Sequence, residues 1–160
     1  VSGKTPWVWG AMRHAWSLGA TVAVITSDAK SEAAQLASMV IAPDVGPDVV
    51  AGYINTKAGI AQKMILSMVT TGLAIRTGRV YSNLRVDLEA SSTKWAERQI
   101  AIVMEAGGCT RAVAKAALEA CNHNCKTAVL MVLTGLDAWK AHDLLAQNNG
   151  FIRVALQEAP

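Results

Sequence analysis

The chain has 160 residues, of which 52% are hydrophobic and 17% charged, with a formal net charge of +3. That composition excludes a disordered chain, and the length suits one ordinary domain, or a half-domain with a small helical module. Its lysines and arginines are scattered without a basic run, so it lacks the clustered basic face of a nucleic-acid binder.

Along the chain, Ser2-Gly3-Lys4-Thr5 leads into Pro6, which suits the first turn of a helix because its missing N–H costs nothing there. The helix is predicted to run to about Leu18 and stop at Gly19. Thr21 to Thr26 is a β-branched run that reads as a buried strand. Asp28 and Ser31 are cap candidates for a helix over Glu32 to Ser38. Met39 to Ala42, ended by Pro43, reads as a second strand. This rhythm predicts an α/β layer with a parallel sheet. The layer looks cut, because the Ser2–Thr5 loop should follow a strand.

Lys57 to Arg76 has a helical pattern with apolar residues on both faces, which predicts a buried helix. Its most apolar part, Met64 to Ile75, is interrupted by Ser67, Thr70 and Thr71 and is short of the ~20 residues that cross a bilayer. No membrane partner is expected. Val80 to Leu88 fits a strand or an extended segment. Beyond Ala90 the pattern predicts helices over Thr93 to Ala106 (capped by Ser92), from Thr110, over Lys126 to Thr134, and over Leu136 to Gln147. In the second of these Val113, Ala117, Leu118 and Cys121 would form the inner face. Short helices joined by tight turns predict a compact bundle. The expected division is 1–90 for the α/β part and 91–160 for the bundle.

Two junctions invite anions. A helix start presents unpaired backbone N–H groups and the positive end of the helix dipole. Ser2, Gly3, Lys4 and Thr5 precede one such start, with hydroxyls to donate and a glycine that lets the backbone approach. An ordinary capped helix start explains the same residues. The loop from Gly46 to Gly52 precedes the second start, with Lys57 and Lys63 where the dipole disfavours cations, and a bound anion would resolve that placement. Alternatively, both lysines extend into solvent. Together the junctions suggest a phosphorylated small molecule.

Other candidates are weaker. Cys121-Asn122-His123-Asn124-Cys125 resembles a metal cluster, but only Cys109 could complete four ligands, so no metal is expected. Three cysteines, an odd number, argue for a reducing cytoplasm without a disulfide framework. No charged n-region with a cleavage site is present, so no signal peptide is expected. His14 and His142 lack acidic or nucleophilic partners at useful spacing. Glu97 and Glu105 share a helix face but read as solvated carboxylates. No residue here stands out as catalytic.

Taken together, the motifs resemble the C-terminal half of N-acetylmuramic acid 6-phosphate etherases, a sugar-phosphate isomerase (SIS) type of family. The resemblance runs from Ser2-Gly3-Lys4-Thr5-Pro6 to Gly150-Phe151-Ile152-Arg153. It includes Gly46-Pro47-Asp48, Lys57-Ala58-Gly59, Ala61-Gln62-Lys63, Thr70-Thr71-Gly72, Asn83 to Asp87, Val103 to Ala106, Cys121 to Ala128 and Thr134-Gly135-Leu136. It implies a partial SIS-type parallel-sheet layer followed by a small ubiquitin-associated-like helical bundle. The implied reaction cleaves the lactyl ether of N-acetylmuramic acid 6-phosphate, giving N-acetylglucosamine 6-phosphate and D-lactate. A carboxylate removes the sugar C2 proton, an acid helps lactate leave from C3, and water adds. No cofactor is implied, and a cytoplasmic homodimer is. The family's two catalytic glutamates lie upstream of the matching region, so no residue here inherits a catalytic role. Ser2, Gly3 and Thr5 match the family's second sugar-phosphate loop, and with Lys4, Gly52 and Lys57 from the two junctions they are the expected substrate contacts.

One segment departs from the family. Where it usually carries Gly-Ser-Ser/Thr-Arg-Met/Leu-Lys, this chain has Gly52-Tyr53-Ile54-Asn55-Thr56-Lys57. Asparagine cannot replace the charged bidentate contact of arginine. The departure favours a second reading, a non-catalytic sugar-phosphate sensor similar to the glucokinase regulatory protein. A third reading, a helical adaptor on residues 91–156, would need an exposed apolar groove there and no phosphate affinity.

Overall fold

In the computed structural model, which describes residues 1–50, 52 and 55–159, the first element is the helix the proline predicts. Helix α1 spans Pro6–Ser17 and closes at Leu18, before Gly19 at φ 79°. Strand β1 (Ala23–Ile25), helix α2 (Glu32–Leu36) and strand β2 (Met39–Ile41) follow. The strands pair in parallel, Ala23 with Met39, Val24 with Val40 and Ile25 with Ile41. Ser31 caps α2 through a hydroxyl that accepts from Ala34 N–H at 3.4 Å. Met12, Val22, Val24 and Ala33 form a small core under α1 and α2. The first strand, expected to be buried, buries only Val24, with Ala23 exposed and Ile25 partly covered, and the three residues of β2 are all exposed.

Helix α3 spans Thr56–Arg76, 21 residues. The expectation that it is buried is corrected, because Ala58 alone among its residues is buried. Ile60, Met64, Met68 and Leu73 are each more than half exposed. A helix apolar on all sides is buried only where neighbours cover all sides, and the described residues do not supply them. The expected shortfall against a bilayer is corrected too. The helical turns before Met64 extend α3 to roughly 30 Å at 1.5 Å per residue, long and apolar enough to cross a membrane by length and composition. Core helices of water-soluble domains pass the same test, so length alone identifies no membrane partner.

The chain divides into two compact units, 1–69 and 70–160, with the boundary inside α3. In the second unit the ambiguous segment is an antiparallel hairpin of β3 (Val80–Tyr81) and β4 (Leu84–Arg85). Ser82 turns it at φ 55°. Five helices follow, α4 (Thr93–Gly107), α5 (Arg111–Ala120), α6 (Cys125–Thr134), α7 (Ala138–Gln147) and α8 (Ile152–Glu158). Helix α6 is the centre, with Cys125 and Thr127 to Leu130 buried. Val103 of α4, Leu118 of α5, Leu145 of α7 and Ile152 of α8 pack in the same core, and so does Val86 from beyond the hairpin.

Local chemistry explains the ends. Thr110, Asn124 and Asp137 accept first-turn N–H bonds from Val113, Thr127 and Lys140. Gly108 and Gly135 close α4 and α6 in the left-handed region. Ser92 stands at the start of α4 but makes no side-chain cap bond. On α5 the inner face is Ala114, Ala117 and Leu118, whereas Val113 is half exposed, which corrects its expected place in the core.

Candidate functional site

The Ser2–Thr5 loop sits at the carboxyl end of β1, between the starts of α1 and α2. Its anchor is Gly3. The Gly3 carbonyl accepts from Trp9 Nε1 at 2.9 Å and from Ala33 N–H at 3.1 Å. Gly3 has φ 69°, and a Cβ there would lie 2.1 Å from Ser31 Oγ. Only glycine satisfies both constraints. Thr26 fixes the loop from the strand side, donating Oγ1–H to the Val1 carbonyl at 2.9 Å. Ser31 is buried behind the loop and donates to Asp28 O at 2.7 Å.

The loop's outer groups remain available. Ser2, Lys4 and Thr5 are exposed. The Thr5 hydroxyl makes no cap bond to α1, although it stands at the N-cap position. Ser2 Oγ accepts a long bond from Lys4 N–H at 3.4 Å. Beneath the loop lies a cavity of about 290 Å³, lined by Gly3, Thr5, Ile25, Ala33, Gln62 and Leu66 among others. Gln62 of α3 donates Nε2–H to Ile25 O at 3.3 Å, bringing α3 to the end of β1. Val8, Met12, Ala23 and Val24 extend the cavity along α1 and β1.

The second junction is built differently. Asp48 covers the start of α3, its Oδ2 accepting from Thr56 N–H at 2.9 Å and its Oδ1 from Lys57 N–H at 3.0 Å. Lys57 is exposed and donates from Nζ to Pro47 O at 3.0 Å. Gly46, at φ 61°, donates its N–H to Asp44 Oδ1 at 3.1 Å, and Gly52 takes φ 106°. The loop's own carboxylate therefore meets the N–H groups that an external anion would use. Tyr53 and Ile54 lie outside the described residues.

The structure thus gathers Ser2, Gly3, Lys4 and Thr5 into one loop, and turns Lys57 onto Pro47. Sequence reasoning missed Gln62 and Thr26 as neighbours of that loop, and missed Asp48 as the cover of α3. Asp48 lies eight and nine residues before its partners, far outside the three-residue spacing by which a cap is read from sequence.

Glu97 receives two bonds at 2.7 Å from Arg111 Nη2, both residues being exposed. Among the described residues no group of three His, Cys, Asp or Glu is placed to hold a metal ion. Cys125 is buried, and that burial, with Cys121 beside it, pushes its thiol up to about 12. Burial also raises Cys121, whose thiol donates to Asn124 O. His14 and His142 are exposed. Gln99 is buried, and its amide donates to Leu88 O and His123 O, tying the extended segment after the hairpin to the turn before α6.

No protein-family model matches the chain. Curated relatives do. It is 55% identical, over 98% of its length, to the N-acetylmuramic acid 6-phosphate etherase of Klebsiella aerogenes. It is 53% identical over 99% of its length to that of Aliivibrio fischeri (strain MJ11), and 52% identical over 99% to that of Edwardsiella ictaluri. The match takes in 52%, 53% and 53% of those relatives, so the chain spans about half the length of the curated proteins it matches. The chain is a homologue of these etherases, as its motifs imply.

Proposed function

We propose that this chain is the C-terminal half of an N-acetylmuramic acid 6-phosphate etherase, a cytoplasmic carbon–oxygen lyase that releases D-lactate and N-acetylglucosamine 6-phosphate. The observation that carries the reading is identity above half over nearly the entire chain to proteins named for that activity. The Ser2–Thr5 loop supports it, since Ser2, Lys4 and Thr5 are exposed just before the start of α1, and Gly3 and Thr5 line a cavity. In this reading residues 1–90 complete an SIS-type α/β domain, and residues 91–160 form the ubiquitin-associated-like bundle.

The substrate's phosphate sits on Ser2, Gly3, Lys4 and Thr5, where backbone N–H groups and the dipole of α1 favour it. The acid and base for C2 deprotonation and lactate departure come from the half of the etherase length that this chain does not match. Glu97 is engaged by Arg111, Asp87 by Arg79 and Asp48 by the start of α3, which supports placing that chemistry elsewhere. The exposed apolar surface of α3 supports both a covering upstream half and a homodimer. No cofactor is required.

A sensor without catalysis is the second reading, favoured by Asn55 where the family's arginine is expected. The test is D-lactate release from N-acetylmuramic acid 6-phosphate by an etherase-length polypeptide that contains this chain. Release supports the etherase. Sugar-phosphate binding without release supports the sensor.

A further inference from the structure

We propose that Asp48 is a positioning residue that reserves the N-terminus of α3, so that an anionic ligand is confined to the Ser2–Thr5 loop. The proposal builds on the phosphate reading of that loop and adds which of two anion-friendly helix starts is used. A helix start offers a few N–H groups pointing along the axis, and their affinity for anions is spent once a carboxylate occupies them. Both oxygens of Asp48 are so placed, one on Thr56 N–H at 2.9 Å and one on Lys57 N–H at 3.0 Å. Lys57, the nearest cation, reaches back to Pro47 O at 3.0 Å, binding the peptide next to Asp48 to the same helix turn. Gly46 lets the chain reverse ahead of this contact at φ 61°, its N–H held by Asp44. Carboxylate, lysine and glycine thus form one closure of the loop onto α3.

The start of α1 has no such closure. Its N-cap residue Thr5 makes no side-chain cap bond, and Pro6 contributes no N–H. The Val8 and Trp9 N–H groups bond the Thr5 carbonyl, so a phosphate at α1 meets the Trp7 N–H and the exposed hydroxyls of the loop, whereas at α3 it meets a resident carboxylate.

The test is titration of inorganic phosphate into the isotope-labelled 160-residue chain, read at individual backbone amides. Wild type is compared with Asp48→Asn and Asp44→Asn. Asparagine has one acceptor oxygen and an NH₂ group, so at position 48 it cannot serve both N–H groups. Asp44→Asn removes the same charge from the same loop while keeping an acceptor for Gly46. In wild type, the Thr56 and Lys57 amides are expected to stay unmoved by phosphate. In Asp48→Asn they are expected to respond, with at least a severalfold gain in affinity there, and Asp44→Asn to behave as wild type. A wild-type response at Thr56 and Lys57, or no gain in Asp48→Asn, overturns the proposal. If Asp48→Asn does not fold, wild type decides alone by the same two amides. Silence at Gly3 to Thr5 in every variant would count against the phosphate loop and leave the role of Asp48 standing, since that role is read at α3.

Discussion

Gly3 is the residue on which the candidate site turns. Its φ of 69° and its contact with Ser31 leave no room for a side chain. Gly3→Ala is expected to cost roughly 2–4 kcal/mol, combining left-handed strain with overpacking against a buried hydroxyl. Urea unfolding measures it, and a loss below ~1 kcal/mol would show that Ser31 yields easily. The cysteines give a second residue-scale prediction. Burial holds the Cys125 thiol protonated up to about 12, while an unfolded cysteine ionises near 9.0. At pH 8 iodoacetamide should modify Cys125 last of the three and only on unfolding. This group's contribution to stability is complete below the unfolded value and declines as pH rises from there toward the folded one. Glycine at position 3 was legible as a loop glycine. Its neighbour Ser31 was legible only as a cap, because sequence does not show that the two meet.

At the scale of elements, local signals served well where they were chemical. Pro6, Ser31, Thr110 and Gly135 each mark the boundary they were expected to mark. Asp137 was missed because Leu136 extends the apolar pattern past it. Its carboxylate is held below the ordinary value of 3.8, first by the backbone N–H of Lys140. A lowered value means stabilisation that is present above 3.8 and lost as pH falls through the folded value. The urea midpoint of wild type should therefore exceed that of Asp137→Asn at pH 6, and the gap should close on acidification. An unchanging gap would assign the difference to another cause. Helix α8 was missed because seven residues carry too little periodicity to stand out. Core position, by contrast, sets large energies. Leu118 is almost fully buried among α4, α5 and α6, and Leu118→Ala should cost about 2–5 kcal/mol in chemical denaturation.

On the scale of the whole molecule, the bundle has a core of its own, whereas the described residues leave most of α3 exposed. Apolar periodicity gave α3 its helix but could not say what surrounds it, since burial depends on polypeptide that periodicity does not describe. The exposed Ile60, Met64, Met68 and Leu73 predict self-association of the 160-residue chain at micromolar concentration. Sedimentation measures it, and Met64→Lys with Leu73→Lys should reduce it. A monomer throughout would show that these side chains repack. The central claim is tested most directly by D-lactate release from N-acetylmuramic acid 6-phosphate, comparing the 160-residue chain with an etherase-length polypeptide containing it. Release by the longer polypeptide and none by the 160 residues alone is the predicted result. Release by the 160 residues alone, or none from a folded longer polypeptide that binds the substrate, would contradict it.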